Sequence, residues 1–560
     1  MVAIFFSNYF ILVYLYISGL IFLKFLFKEK KNLNHIETFF FGYILLSFFS
    51  LFFNFFAPLN KLNNTIILLT LIILFFFNFR KIVSKKIFYL SIVITFTSTI
   101  LLYKSNIFRP DAGLYHFPFI KILNEEKIIF GLSNIHFRFG HISITQYLSA
   151  HLNNYITNEN AINIPHSILA SAFIIYLFTE IKKNKKFSFY FFFIFFSFLF
   201  SIFYLKRYSE YGNDAPGFIF SILTIISYLK YKNFYKQKRY LYLTCFFATY
   251  AFFIKSFLII IFLIPLFAID FKKLKEFLFN RSVVVLLLII SLWFTKNIVN
   301  TGCLLYPIPQ LCIKKLIWTD IVKTEYYSLA GESASKGYLD KLKYYPEKEY
   351  PKNFNDEINE YKNFNQKFNW LPVWAKYHLD VIFNKVNIFL LLMFFYLIFY
   401  GFILIKKCKK IHRSNIIIEH KVLFFISFLG LFLWFLKFPL FRYGVVFIYL
   451  VIVLFLISFI KEFYFNKKIF NIHTNLAVFF YFIAIISFNS FRIIKNFNND
   501  NWPNIYKMGE EVVYTEIILN KKSSYNKASS ECMYGRNLCT NENVRINFYE
   551  KNGYKFFTKI

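Results

Sequence analysis

Residues Arg109–His141 read RPDAGLYHFPFIKILNEEKIIFGLSNIHFRFGH, the first long polar interruption in a chain built of apolar runs. One carboxylate, Asp111, follows Pro110 where the chain leaves an apolar segment, and His116, His136, His141, Arg109 and Arg138 share the stretch. Phe119, Ile122, Leu123, Ile129 and Phe130 recur on roughly one helical face, with Lys121, Asn124 and Glu125 elsewhere. That pattern predicts a helix lying in the plane of a membrane interface. What the loop belongs to depends on its flanks.

The flanks are too apolar for a soluble globule. Of 560 residues 57% are hydrophobic, and the mean hydropathy is +0.48. Runs of about 20 apolar residues match the thickness of a bilayer core. Backbone amides in lipid must bond within their own segment, so each run reads as a helix. Apolar spans fall near 3–27, 37–57, 65–79, 87–104, 163–180, 187–206, 216–230, 240–254, 256–270, 282–300, 380–404, 421–436, 443–460 and 472–489. The expected fold is an all-α polytopic membrane protein of about fourteen transmembrane helices, with extracytoplasmic loops and a small outer C-terminal element. Met1 opens the first span with neither a basic leader nor a small-residue cleavage site, so that span is expected to stay as a helix.

The net charge of +35 would suggest nucleic acid in a soluble protein. Here most Lys and Arg sit in short loops between spans, so nucleic acid is not an expected partner. Lys28, Lys30 and Lys31 follow the first span, Arg80, Lys81, Lys85 and Lys86 the third, and Lys182, Lys183, Lys185 and Lys186 the fifth. Lys230, Lys232, Lys236, Lys238 and Arg239 follow the seventh, Lys272, Lys273 and Lys275 the ninth, Lys406, Lys407, Lys409, Lys410 and Arg413 the eleventh, and Lys461, Lys467 and Lys468 the thirteenth. Basic loops face the cytoplasm. The organisation that follows is N-terminal helices over 1–86, a core over 87–310 with an outer loop 105–162, an outer loop 301–379, C-terminal helices over 380–490 and an outer tail 491–560. The segment 320–378 reads as a partly helical outer cap, and the tail as a small folded appendage. Cys303 with Cys312 and Cys532 with Cys539 lie close in sequence on the oxidising side, which suggests two local disulfides, unpaired thiols being the alternative.

The chemistry-bearing residues gather on that outer side. Asp111 is half-desolvated at the membrane exit, which should raise its pKa and fit it for proton abstraction; the plain alternative is a helix cap. His116 and His141 taken singly read as packing residues. Zinc is weakly supported, because no two histidines stand at i, i+4 beside a carboxylate. Lys206-Arg207-Tyr208-Ser209-Glu210-Tyr211-Gly212-Asn213-Asp214-Ala215-Pro216 places Glu210 and Asp214 beside two cations, with a surface turn as the alternative. Lys255 splits a long apolar run, with snorkelling to the surface as the alternative to function. Lys296 ends the tenth span and Arg442 opens the thirteenth, both on the outer face. Topology does not explain outer cations at Arg138, Arg207, Lys255, Lys296 and Arg442; a lipid-linked phosphate or diphosphate would.

These residues resemble the GT-C superfamily of integral-membrane glycosyltransferases. The likeness rests on an Asp in the first large outer loop, an interfacial helix after it, an apolar–Lys–apolar–Pro hairpin (Ala248 to Pro265), and a helix ending in Asn before Gly-x-x-x-Tyr-Pro (Asn300 to Pro307). Asp-x-Gly-Leu-Tyr-His also resembles bacterial membrane proteins of that architecture. The likeness covers about 87–310, and the rest by topology only.

It implies sugar transfer from a polyprenyl-phosphate donor to an envelope glycan, lipid or protein, at the outer face of a bacterial inner membrane. Asp111 would be the general base, and Asp214 or Glu210 a second acid. Arg138, Arg207, Lys255 and Arg442 would hold the donor phosphate, with Arg109, His116, His141 and Lys296 as further candidates. In many members the aspartate follows the first helix, whereas three spans precede the matching helix here, which leaves the family register of 1–80 open. Some members use a divalent metal such as Mg or Mn through paired acids; no Asp-x-Asp is present, which leaves metal use open. Two competing readings are an O-antigen polymerase or ligase, which relies on loop arginines and a histidine, and a transporter, which should show repeated halves.

Overall fold

The computed structural model describes residues 1–27, 34–79, 85–104, 111–184, 186–204, 211–232, 237–340, 354–404, 416–458, 463–464, 479, 483, 486–487, 489–498, 512–520, 523–542 and 544–559. The chain is mostly helical. The N-terminal helices are α1 (Val2–Phe27), α2 (His35–Asn54), α3 (Lys61–Phe79) and α4 (Lys85–Leu102). The segment after α4 then folds into a π-helical turn (Ala112–His116), α5 (Phe117–Glu125) and α6 (Ile144–His151). Next come α7 (Ile164–Lys183), α8 (Phe189–Tyr204), α9 (Asp214–Lys230), α10 (Lys238–Ile254), α11 (Leu263–Ala268), α12 (Leu274–Leu278) and α13 (Arg281–Thr301). The segment after α13 carries α14 (Ile321–Ser335), α15 (Phe354–Asn365) and α16 (Leu371–Trp374), and α17 (Asp380–Leu404), α18 (Ile416–Lys437) and α19 (Phe441–Ser458) follow.

Among the described residues six helices are long and apolar enough to cross a membrane: Val2–Phe27, His35–Asn54, Glu159–Lys183, Arg281–Thr301, His420–Lys437 and Phe441–Ser458. This is consistent with a membrane protein. The count of fourteen spans is not supported among the described residues. Hydropathy overcounts because apolar runs can be short or interrupted. At 17 residues each, α9 and α10 reach about 25 Å, less than a bilayer core of ~30 Å. The run after Lys255 is a 3₁₀ stretch, Ser256–Phe262, followed by the six-residue α11.

The packing explains the apolar composition. Helix α7 is buried on nearly all sides, so its apolar faces meet protein. Helices α1 and α2 touch backbone to backbone: a Cβ at Gly19 would land on the Thr38 carbonyl oxygen, and one at Gly42 on that of Leu15. At the C-terminal ends of α7 and α9, Lys230 Nζ donates to Glu37 Oε1 (2.8 Å) and to Tyr176 OH (2.9 Å), and lies 3.0 Å from Glu180 Oε2. Tyr176 OH donates to Glu37 and Tyr190 OH to Glu180. All three charged groups are buried, and the cluster ties α2, α7, α8 and α9. Lys230, expected as a loop charge, therefore turns inward.

The outer elements differ from expectation in kind. Helix α5 ends at Glu125 and is covered by protein, with Phe117, Phe119, Ile120, Ile122 and Leu123 all buried, so it does not lie open on an interface. Ile129 and Phe130 fall beyond it in extended chain. The segment between α13 and α17 has an aromatic core of its own around Tyr338, Tyr361, Trp370 and Trp374, packed on Trp434 of α18.

The tail is β-structure, so the chain is not all-α. The short strands β1 (Lys186–Phe187) and β2 (Phe463–Tyr464) pair with each other. In the tail, β3 (Tyr514–Asn520) and β4 (Ser523–Ala528) are antiparallel, β5 (Cys539–Thr540) joins β4 in parallel, and β6 (Ile546–Lys551) and β7 (Tyr554–Lys559) form a hairpin. Asn552 and Gly553, both at positive φ, turn that hairpin, as a type I′ turn requires. Cys303–Cys312 and Cys532–Cys539 are both bonded.

Candidate functional site

The π-helical turn after Asp111 runs straight into α5, with Pro118 early in the helix, where its missing N–H costs nothing. Asp111 holds the N-cap position but its side chain makes no capping bond. The carboxylate turns instead to two arginines. Arg442 in the first turn of α19 donates to Oδ2 at 2.9 Å, and Arg138 donates to Oδ1 at 3.3 Å. Arg138 sits in a one-turn 3₁₀ helix whose start is fixed by His136: the Arg138 backbone N–H donates to His136 Nδ1. Its guanidinium lies over the Tyr115 and Phe137 rings.

A second ion pair adjoins the first. The backbone of Lys255 is extended where α10 breaks. Its Nζ donates to Asp214 Oδ1 at 2.6 Å and to the Arg442 carbonyl at 3.0 Å, and lies 4.1 Å above the Tyr443 ring. Asp214 opens α9. Five charged groups from five distant segments thus stand together. A broken helix at such a place is tolerated where it lines a protein-walled cavity.

The electrostatics reverse one expectation. Burial pushes the Asp111 carboxyl up, but Arg442 and Arg138 outweigh it and hold it below the usual carboxylate range. Desolvation alone predicts a raised pKa, and the two guanidiniums reverse it. Asp111 is therefore an anion at neutral pH. His116 is buried beside it, and its Nδ1 accepts from Gln146 Nε2 at 2.8 Å, the amide being oriented by Ser143 N–H on Oε1. Burial pushes His116 down to about 4, and does the same to His136 and His151, to about 3. The unfolded chain takes up these protons first, near 6.5, so stability is full above that pH and falls as pH drops toward the folded values. The melting midpoint should therefore fall between pH 6.5 and about 4; a midpoint flat across that interval contradicts the neutral assignment.

Other candidates lie elsewhere. His141 is exposed, edge-on to Tyr306. Lys296 is buried, donating to Asn297 Oδ1 over the Trp293 ring, with no carboxylate in ion-pair reach among the described residues. Arg109, Arg207 and Glu210 fall outside the described residues. The sequence reading missed Tyr115, Tyr443 and Gln146, which frame the charges. The residues do not fit a divalent metal: both Asp111 oxygens meet guanidiniums, Asp214 meets Lys255, and no group of three ligating side chains is present among the described residues.

No curated protein and no solved structure matches the chain. The model of one family, described as a domain of unknown function (DUF8201), matches residues 1–449. That stretch carries Asp111, Arg138, Asp214, Lys255 and Arg442 and most of the chain's length, so the protein belongs to the DUF8201 family.

Proposed function

We propose that this protein is an integral-membrane glycosyltransferase of the GT-C type, moving a sugar from a polyprenyl-phosphate-linked donor to an envelope glycan, lipid or protein on the extracytoplasmic face. The observation that carries the reading is the Asp111 carboxylate between Arg138 and Arg442, with the Lys255–Asp214 pair adjoining. Three cations against two carboxylates leave one positive charge over, and a phosphate suits it.

The arrangement suggests how binding and reaction are coupled. A donor phosphate competes for the N–H groups that now hold Asp111. As the guanidiniums turn to phosphate, the carboxylate loses its counter-charges and becomes a stronger base. It takes the acceptor hydroxyl proton while that oxygen bonds to the anomeric carbon. The carbon–phosphate-oxygen bond breaks, and its electron pair stays on the phosphate, facing Arg442, Arg138 and Lys255.

Two measurements test this. Mass spectrometry of a deletion strain should show one lipid-linked sugar accumulating and one envelope glycan lost; profiles identical to the parent reject the reading. Arg442→Lys keeps the charge but loses the planar fork. It should weaken donor binding about tenfold, read as a raised KM, while Arg442→Ala should cost more.

A further inference from the structure

The tail touches the Asp111 turn through one small loop. The Cys532–Cys539 bond closes that loop, and Met533, Tyr534 and Asn537 lie inside it. Met533 N–H donates to the Gly113 carbonyl at 2.9 Å. Tyr534 OH donates to Asn124 Oδ1 at 2.8 Å and accepts from Asn153 Nδ2 at 3.0 Å, and Asn537 Nδ2 donates to Glu126 Oε1 at 2.9 Å. All of these partners belong to the outer loop that begins at Asp111. Gly113 stands close against the loop: a Cβ there would lie 2.6 Å from Met533 Sδ and 3.1 Å from Glu531 Cβ, so Met533 would have to move aside. Met533 and Leu538 hold positive φ of 51° and 47°, a conformation that L residues keep only when their surroundings impose it.

The rest of the tail is fastened separately. Phe130 N–H donates to the Lys555 carbonyl, Phe557 N–H donates to the Phe130 carbonyl, and the Phe130 and Phe556 rings stack at 4.4 Å. The closed loop is therefore not needed merely to keep the tail attached. The turn it grips is π-helical, a rare geometry found mostly as single turns within α-helices. The family match covers Asp111 but ends at residue 449, short of the loop.

We propose that the disulfide-closed loop 532–539 is a clamp that positions Asp111. Met533, Tyr534 and Asn537 hold the turn and α5 so that the carboxylate meets Arg138 and Arg442. The inference rests on Asp111 being the reactive carboxylate; Met533, Tyr534 and Asn537 are positioning residues that touch no substrate.

Hydrogen exchange on the full-length chain in lipid nanodiscs tests it. Tyr534→Phe with Asn537→Ala keeps the disulfide and should raise amide exchange over 112–125 about tenfold or more. Exchange over 441–458 and the melting midpoint should stay at parent values. Met533→Leu, which keeps the main-chain donor, should behave as the parent, and Cys532→Ser with Cys539→Ser should loosen 112–125 further. Unchanged exchange over 112–125 in the Tyr534/Asn537 variant, or an equal rise throughout the chain, overturns the clamp. Inorganic pyrophosphate added to the parent separates the two readings. If it protects neither 112–125 nor 441–443, the donor-phosphate reading fails, while the variants still decide the clamp.

Discussion

Lys230→Met should be strongly destabilising. It leaves Glu37 and Glu180 buried and facing each other with their shared cation gone. Breaking a buried pair by removing one partner costs about 3–5 kcal/mol, because the remaining charge has neither water nor a counter-ion. Lys183 still reaches Glu180, but it is largely exposed and does not meet Glu37. The expected result is a large drop in melting midpoint and in the folded yield on size exclusion. Adding Glu37→Gln and Glu180→Gln to Lys230→Met should recover most of the loss, since a neutral cluster of similar volume has no charge to bury. A Lys230→Met protein that melts with its parent would show that the cluster is hydrated or neutral.

Asp111→Asn should divide binding from turnover. The amide keeps the shape of the carboxylate but cannot take a proton, and a lost general base costs about 10²–10⁴ in rate. The same change frees two guanidiniums, so inorganic pyrophosphate and the lipid-linked donor should bind more tightly than to the parent. The fold should survive. Asp111 is 33% exposed and Arg442 46%, and pairs so open to water contribute little, about 0–1 kcal/mol. Normal sugar transfer by the Asn variant would remove Asp111 from the chemistry, and weakened pyrophosphate binding would remove the competition between carboxylate and phosphate.

What could be read in advance follows from how local each cause is. Asp111 and Arg442 stand out in sequence at the ends of apolar runs, Lys255 because it splits one, and Arg138 as a cation in a loop read as outer, where topology gives a cation no reason to be. That they meet is a tertiary fact. It also inverts the acidity expected of Asp111, since desolvation is local and the two arginines come from 27 and 331 residues away. Lys296 carries the same signal but stands apart, on its own helix neighbours Trp293 and Asn297. Lys230 was hidden by its position, one of several lysines at a span boundary and alone among the described ones in reaching two buried glutamates. The tail hairpin was the most readable omission: Asn552-Gly553 between two six-residue runs is a strong hairpin signal. The pairing of β4 with β5 and the grip of residues 533–537 on Gly113 have no such local mark.

The five-membered charge cluster has a consequence for how the protein is made. Its last contributor, Arg442, emerges from the ribosome long after the other four, and until α19 is inserted Asp111 lacks its nearer arginine. Every shorter nascent chain is thus without a finished centre. The pairing of Asp111 with Arg442 is therefore completed only late in synthesis.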